Sequence, residues 1–185
     1  IQITRDRWNL NLTNTTSGDR VTIESFFNNA DRQIENVEFA DGTKWDIEHL
    51  KDRARYYYGT AGNDSIYGYD SYYNAPTYQD DYMYGGEGND TICGNKGEDH
   101  LYGEEGNDTL YGGDDNDELV GGTGNDTLRG DNGDDTYIFN LGDGQDVISE
   151  SKGTDTIRFG EGISADDIQI TRDRWNLNLT NTTSG

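Results

Sequence analysis

Between Gly85 and Ile138 the chain repeats itself every nine residues without a gap: GGEGNDTIC, GNKGEDHLY, GEEGNDTLY, GGDDNDELV, GGTGNDTLR, GDNGDDTYI. Glycine recurs at position one, aspartate at position six and a large hydrophobe at position eight. A short period held in strict register confines a chain to a solenoid, because one unit cannot bury a core alone and must stack on the next. Each unit is expected to give a turn of about six residues and a strand of about three, with neighbouring strands ~4.8 Å apart. Two units then complete one coil and contribute one strand to each of two facing parallel sheets. Position eight points inward, at Ile66, Met83, Ile92, Leu101, Leu110, Leu119 and Leu128, and positions seven and nine point outward.

Hydrophobic burial cannot stabilise such a chain unaided. Leu, Ile, Val and Phe make up 32 of 185 residues, with a formal net charge of -23 and a mean hydropathy of -1.00. That composition is the signature of a disordered polymer. One inward hydrophobe per unit does not offset a backbone entropy cost of ~1–2 kcal/mol per residue. The strict periodicity argues against a random coil, so a further stabiliser is required, and the acidic excess points to a cation. The same charge excludes nucleic acid as a partner, since phosphate binding needs clustered Lys and Arg. A single cysteine, Cys93, rules out an intrachain disulfide. No apolar run approaches the ~20 residues of a transmembrane helix. No signal-peptide pattern opens the chain, which begins mid-pattern at Ile1 as an excised fragment is expected to.

The repeats start earlier and end later than their regular centre. Gly59–Tyr67 is a full unit; the next, from Gly68, is interrupted near 70–78 and resumes at Gln79–Tyr84. Leu141–Glu150 and Gly153–Phe159 keep glycine, aspartate and alternation. Residues 1–18 recur unchanged as 168–185, an offset of 167, as in a slice from a tandem array. Residues 1–45 read as short antiparallel strands, with Ile1 and Ile3, then Trp8, Leu10 and Leu12, then Val21 and Ile23 alternating with polar residues. Turn chemistry at Asn14–Arg20 and Asp41-Gly42 separates them. A helix is expected at Asp46–Arg55, capped by Asp46 with Ile47, Leu50 and Ala54 on one face. The expected organisation is an all-β chain: a β-rich module with one short helix over 1–58, a parallel β-roll over 59–159, and the start of a second copy of the module over 160–185.

The position-six aspartates carry the chemistry. Units alternate between edges, so one stack holds Asp64, Asp90, Asp108, Asp126 and Asp146, and the other holds Asp81, Asp99, Asp117, Asp135 and Asp155. Carboxylates ~5 Å apart repel by roughly 3 kcal/mol at an effective dielectric of 20. A hard divalent cation between coils reverses that sign, and carboxylates with backbone carbonyls are oxygen ligands suited to Ca²⁺ rather than to the octahedral, water-retaining Mg²⁺. Folding and metal binding then form one equilibrium. Five aspartates per edge leave four gaps, about eight ions in all. An EF-hand is not supported, because the loop starting Asp131-Asn132-Gly133-Asp134-Asp135 lacks the glycine at its sixth position and the glutamate at its twelfth.

Units such as Gly85–Cys93 and Gly121–Arg129 resemble the GGxGxDxUx haemolysin-type calcium-binding repeats of RTX proteins, which form a parallel β-roll. The segments FGEGISADDIQI, VTIESFF and IENVEFADGTKWD are similar to the domain that adjoins such repeats in haemolysin-related proteins. The resemblance implies export unfolded through a type I apparatus of a Gram-negative bacterium and calcium-driven folding outside the cell or at its surface. It also implies carbonyl ligands from positions two and four of one turn and one and three of the turn a coil later. Gly86, Gly88 and Asp90 would then face Gly103, Glu105 and Asp108; Glu104, Gly106 and Asp108 would face Gly121, Thr123 and Asp126; Asn95, Gly97 and Asp99 would face Gly112, Asp114 and Asp117. Asp115 at a fourth position, and Asn95, Glu104 and Asp131 at second positions, depart from the glycine of the pattern.

The outward tyrosines Tyr67, Tyr84, Tyr102 and Tyr111 fit cross-strand packing or an aromatic sugar platform, and Tyr72, Tyr73 and Tyr78 of the insert fit a decoration or a recognition loop. His49 and His100 have no ligand-spaced partner and Cys93 is a structural residue. The acids occupy equivalent, repeated positions, whereas an active site is singular, and no Ser–His–Asp grouping is visible, so no enzyme is expected. The expected function is a calcium-binding structural and secretion module of a large secreted RTX protein. The alternative is an adhesive module that holds a glycan or a cell surface. The duplicated 18-residue segment makes self-association a further expectation.

Overall fold

The computed structural model describes residues 1–6, 9–26, 30–68, 80–172, 174 and 176–182. The expected insert near 70–78 and Trp8 lie outside these residues. The first elements are β1 (Gln2–Asp6), β2 (Asn9–Thr13), β3 (Arg20–Ile23), β4 (Asn36–Glu38), β5 (Lys44–Asp46) and helix α1 (Ile47–Arg53). β1, β2 and β3 form one antiparallel sheet and β4 and β5 a hairpin. The turn after β2 forms as its composition requires, with Asn14 Oδ1 accepting from the Thr16 amide at 2.9 Å. Asp46 caps α1, its carboxylate accepting from the His49 amide at 2.8 Å. Ile3, Leu10, Phe26, Leu50 and Ala54 form the buried centre of this module, and Ile23, Trp45 and Ile47 pack around it. Ile1 and Val21, which the alternation would bury, are exposed.

The solenoid follows. Its strands are β6 (Tyr56–Tyr58), β7 (Ser65–Tyr67), β8 (Tyr82–Glu87), β9 (Thr91–Lys96), β10 (His100–Glu105), β11 (Thr109–Asp114), β12 (Glu118–Thr123), β13 (Thr127–Asn132), β14 (Thr136–Phe139), β15 (Val147–Ile148) and β16 (Thr156–Phe159). Even-numbered strands form one parallel sheet, in the order β16-β14-β12-β10-β8-β6, and odd-numbered strands the other, in the order β15-β13-β11-β9-β7. Tyr56–Tyr58 pairs in parallel with β8, so the first strand of the roll precedes Gly59. The register is the repeat itself: Leu101 lies beside Met83 and Leu119, and Leu110 beside Ile92 and Leu128. Position eight fills the interior from Ile66 to Leu128, and Tyr137 closes it with its hydroxyl accepting from the Gly130 amide at 2.7 Å.

The strands are longer than the expected three residues. β8 to β13 each span six, from position seven of one unit to position three of the next, leaving a turn of positions four to six. The neighbouring coil imposes this: after the position-one glycine the ladder resumes, with Glu104 beside Gly86 and Glu105 beside Glu87. The chain ends in a second hairpin, β17 (Ile168–Arg172) and β18 (Leu177–Asn181).

Candidate metal sites on the two edges of the roll

The three-residue turns place every position-six aspartate at an edge between the sheets, and the two expected stacks form. On the first, the backbone amides of Asp64, Asp90 and Asp108 donate to the carboxylates of Asp90, Asp108 and Asp126 at 2.7, 2.7 and 2.8 Å, and Asp126 donates to Asp146 at 2.9 Å. On the second, the amides of Asp81, Asp99 and Asp117 donate to Asp99, Asp117 and Asp135 at 2.7, 2.8 and 2.8 Å, and Asp135 donates to Asp155 at 3.1 Å. The last step on each edge spans 20 residues instead of 18.

Each ladder bond uses one carboxylate oxygen. The other oxygen of Asp90, Asp99, Asp108, Asp117, Asp126 and Asp135 is buried and accepts no hydrogen bond. A buried polar atom without a partner is unfavourable, and a charged one more so. Those of Asp90, Asp99, Asp108 and Asp117 face carbonyls of the following coil across glycines. A Cβ on Gly85 would lie 2.4 Å from Asp90 Oδ2 and 2.5 Å from the Gly103 oxygen; one on Gly103 would lie 2.4 Å from Asp108 Oδ2 and 2.3 Å from the Gly121 oxygen. The second edge repeats the cradle at Gly94 with Asp99 and the Gly112 oxygen, and at Gly112 with Asp117 and the Gly130 oxygen.

The other expected ligand positions gather at the same gaps. Position-one carbonyls lie against the preceding coil, while second- and fourth-position carbonyls lie against the following one: Glu104 and Asn95 beside Gly122 and Gly113, Gly88 and Gly106 beside Gly106 and Gly124. Third-position carbonyls of Glu105 and Thr123 turn back and accept from the amides of Gly88 and Gly106 at 2.8 and 2.9 Å. Each carbonyl has a second lone pair left for a further partner. Asn95, Glu104, Asp115 and Asp131 take the left-handed backbone that the pattern assigns to glycine, with φ of 75 to 79°. All donors at the gaps are oxygens, so the residues fit a hard cation such as Ca²⁺.

Burial, reinforced by the neighbouring carboxylates, pushes Asp99 up to about 9 and Asp117 up to about 8. Asp108, Asp126 and Asp146 rise to about 6 from the same causes. Burial thus makes the charged form costly at these positions, and a bound cation supplies the compensating charge.

Two features were not read from the sequence. A second ladder runs beside the first stack at position five, where Asn89, Asn107 and Asn125 amides donate to the side-chain oxygens of Asn63, Asn89 and Asn107 at 2.9, 2.7 and 2.8 Å. Its signal was the asparagine that precedes aspartate in those units. Glu150 is the other: it joins Asp135 and Asp155 in a three-carboxylate group whose oxygens lie within 4.8 Å of one another. On the outer face, Tyr56, Tyr82 and His100 stack at centroid distances of 4.8 and 4.6 Å, and Tyr58, Tyr84 and Tyr102 at 5.2 and 4.9 Å. Cross-strand packing thus occupies Tyr84 and Tyr102, while Tyr67 is exposed beside Cys93.

Two parallel sheets wound as one solenoid, with aspartates stacked along both edges, define a β-roll, a structural calcium-binding fold. Residues 56–71, 77–110, 84–119 and 111–148 match the RTX calcium-binding nonapeptide repeat in 4 copies, and residues 9–49 match the haemolysin-type calcium binding protein related domain. The roll is built of RTX calcium-binding repeats, and the module before it is of the haemolysin-type calcium binding protein related kind. Comparison with curated proteins finds no match. Among the described residues, no helix is long and apolar enough to cross a membrane.

Proposed function

We propose that this chain is a non-enzymatic structural and secretion module of a large RTX protein, exported unfolded through a type I apparatus and folded by calcium outside the cell. The observation that carries this reading is the run of buried aspartate oxygens without hydrogen bonds, those of Asp90, Asp99, Asp108 and Asp117 set against carbonyls of the next coil. The aspartates of both stacks, Asp64 to Asp146 and Asp81 to Asp155, are the carboxylate ligands. The carbonyls of Gly86, Gly88, Asn95, Gly97, Glu104 and Gly106 on one side of each gap, and of Gly103, Glu105, Gly112, Asp114, Gly121 and Thr123 on the other, complete the sets, for up to about eight ions. Residues 1–58, 59–159 and 160–185 act as module, roll and the start of a second module. Low cytosolic calcium leaves the edges repelling and the chain unfolded, which suits passage through a narrow conduit. Calcium at ~10⁻⁴–10⁻³ M, the range of extracellular modules, closes the edges. Circular dichroism in chelator and under calcium titration tests this: β signal must grow with calcium, and a spectrum indifferent to calcium rejects the reading.

A second reading, adhesion to a glycan, is favoured by one observation. The tyrosine stacks open at Tyr56 and Tyr58 onto a groove of about 660 Å³ shared with Trp45, His49, Arg53 and Thr15. Aromatic faces beside hydrogen-bonding groups suit a sugar ring. Glycan-array binding lost in Tyr58→Ala, with the calcium transition unchanged, would establish it; an array without signal removes it.

A further inference from the structure

At Gly85, Gly94, Gly103 and Gly112 an aspartate oxygen faces a backbone carbonyl of the next coil, and at the last gap of the second edge a further carboxylate comes in. A Cβ on Gly112 would meet Asp117 Oδ2 at 2.3 Å and the Gly130 oxygen at 2.9 Å. One coil further, a Cβ on Gly130 would meet Asp135 Oδ2 at 2.0 Å and the Glu150 carboxylate at 2.6 Å. The 20-residue last step puts residue 150 where a position-one glycine would stand. Asp135 is 1% exposed, and its Oδ2 is aimed into this gap without a hydrogen-bond partner. Asp155 closes the other side while its Oδ1 accepts from the Asp135 amide. Glu150 is held in place from both ends, Oε1 accepting from the Gly130 amide at 3.3 Å and Oε2 from the Ser151 amide at 3.0 Å.

We infer that Asp135, Glu150 and Asp155 form a divalent-cation site that differs from the interior gaps by a third carboxylate, that of Glu150. The inference rests on the calcium-binding reading of the roll. Each interior gap lies between two aspartates, whereas this site brings three carboxylates to one ion. Affinity in oxygen-ligand calcium sites rises with ligand charge. The site therefore fills first in a calcium titration and fixes the end of the roll before the interior coils are loaded.

Isothermal titration of the full chain with calcium alone tests it, in wild type, Glu150→Gln, Asp155→Asn and the double variant. Gln keeps an oxygen that can accept from Gly130, so the change removes charge before it removes geometry. The expected result is that each single variant weakens the tightest step by at least about tenfold and leaves the weaker steps in place, and that the double variant loses no more than the singles. A Glu150→Gln isotherm identical to wild type overturns the site while the roll's calcium binding stands. So does a Glu150→Gln chain that stays unfolded at saturating calcium while Asp155→Asn folds with its tightest step intact. A wild-type chain that takes up no calcium overturns the underlying reading and this site with it.

Discussion

An aspartate in this roll holds two neighbours at once: its amide bonds the next carboxylate, and its own carboxylate receives the previous amide. Asp108 therefore borders two gaps and Asp64, at the end of its stack, one. Calorimetry should find Asp108→Ala lowering calcium stoichiometry by about two ions and Asp64→Ala by about one; equal losses would contradict the stacking. The same residues set the response to pH. Folded values of about 9 for Asp99, about 8 for Asp117 and about 6 for Asp108 and Asp126 stand above the ordinary 3.8. A raised folded pKa stabilises fully below the unfolded value and loses that contribution as pH rises through the folded one. In chelator, the β signal should accordingly grow on acidification from about pH 9 to pH 5, with protons taking the cation's role. With calcium present, the same acidification should weaken binding, because protons and the ion compete for one set of oxygens. A chelated chain whose β signal falls over that range would contradict the shifts. The stacks were legible from the spacing of Asp64 through Asp155 because one residue type at a fixed period is a geometric statement. Glu150 was not, because it stands outside the register and enters a site only through the 20-residue last step.

At the scale of the strand, the hydrophobe at position eight marked the centre of each but not its length. Positions one to three hold mainly glycine, asparagine and charged residues of low β propensity, Thr123 excepted, so little local extends the strand through them. The adjacent coil does, by offering a ladder already in register. That closeness makes some glycines irreplaceable and others not. Gly106 has φ of 138°, and a Cβ there would lie 1.6 Å from the Gly88 oxygen; Gly142 has φ of 93°, with nothing within 4 Å. Gly106→Ala should force two coils apart and destabilise the calcium-loaded roll by more than ~3 kcal/mol, whereas Gly142→Ala should cost about 1 kcal/mol through its backbone angle alone. Thermal unfolding in saturating calcium measures both; similar shifts in the two variants would mean that coil spacing does not govern stability. The helix was more fully legible, because Asp46, Leu50 and Ala54 carry a cap and a buried face within a few residues. The position-five ladder went unread because asparagine next to a metal-ligating aspartate looks like turn chemistry until coils are superposed.

Across the whole molecule, one sequence occurs in two environments. β17 and β18 pair in the register of β1 and β2, with Ile170 opposite Leu179 as Ile3 is opposite Leu12, and Arg172 opposite Leu177 as Arg5 is opposite Leu10. Their surroundings differ. Ile3 and Leu10 are 6% and 0% exposed, but Ile170 and Leu177 are each 64% exposed. The first hairpin is covered by β3, Phe26 and Leu50, whereas β17 and β18 pair only with each other among the described residues. An apolar face with an unpaired edge strand, of a sequence that already fits a surface in the same chain, invites segment exchange. Burying Ile170 and Leu177 would contribute ~1.5–3 kcal/mol each, yet it displaces an identical hairpin, so contacts balance and concentration decides. The resident hairpin competes at an effective concentration of order mM. Light scattering should therefore find monomer at micromolar chain and head-to-tail oligomers as concentration approaches the millimolar range, in calcium. Leu177→Asp should keep the chain monomeric throughout without altering its calcium transition, since Leu177 is exposed and stands outside the aspartate stacks, whereas oligomers that persist in Leu177→Asp would place the interface elsewhere.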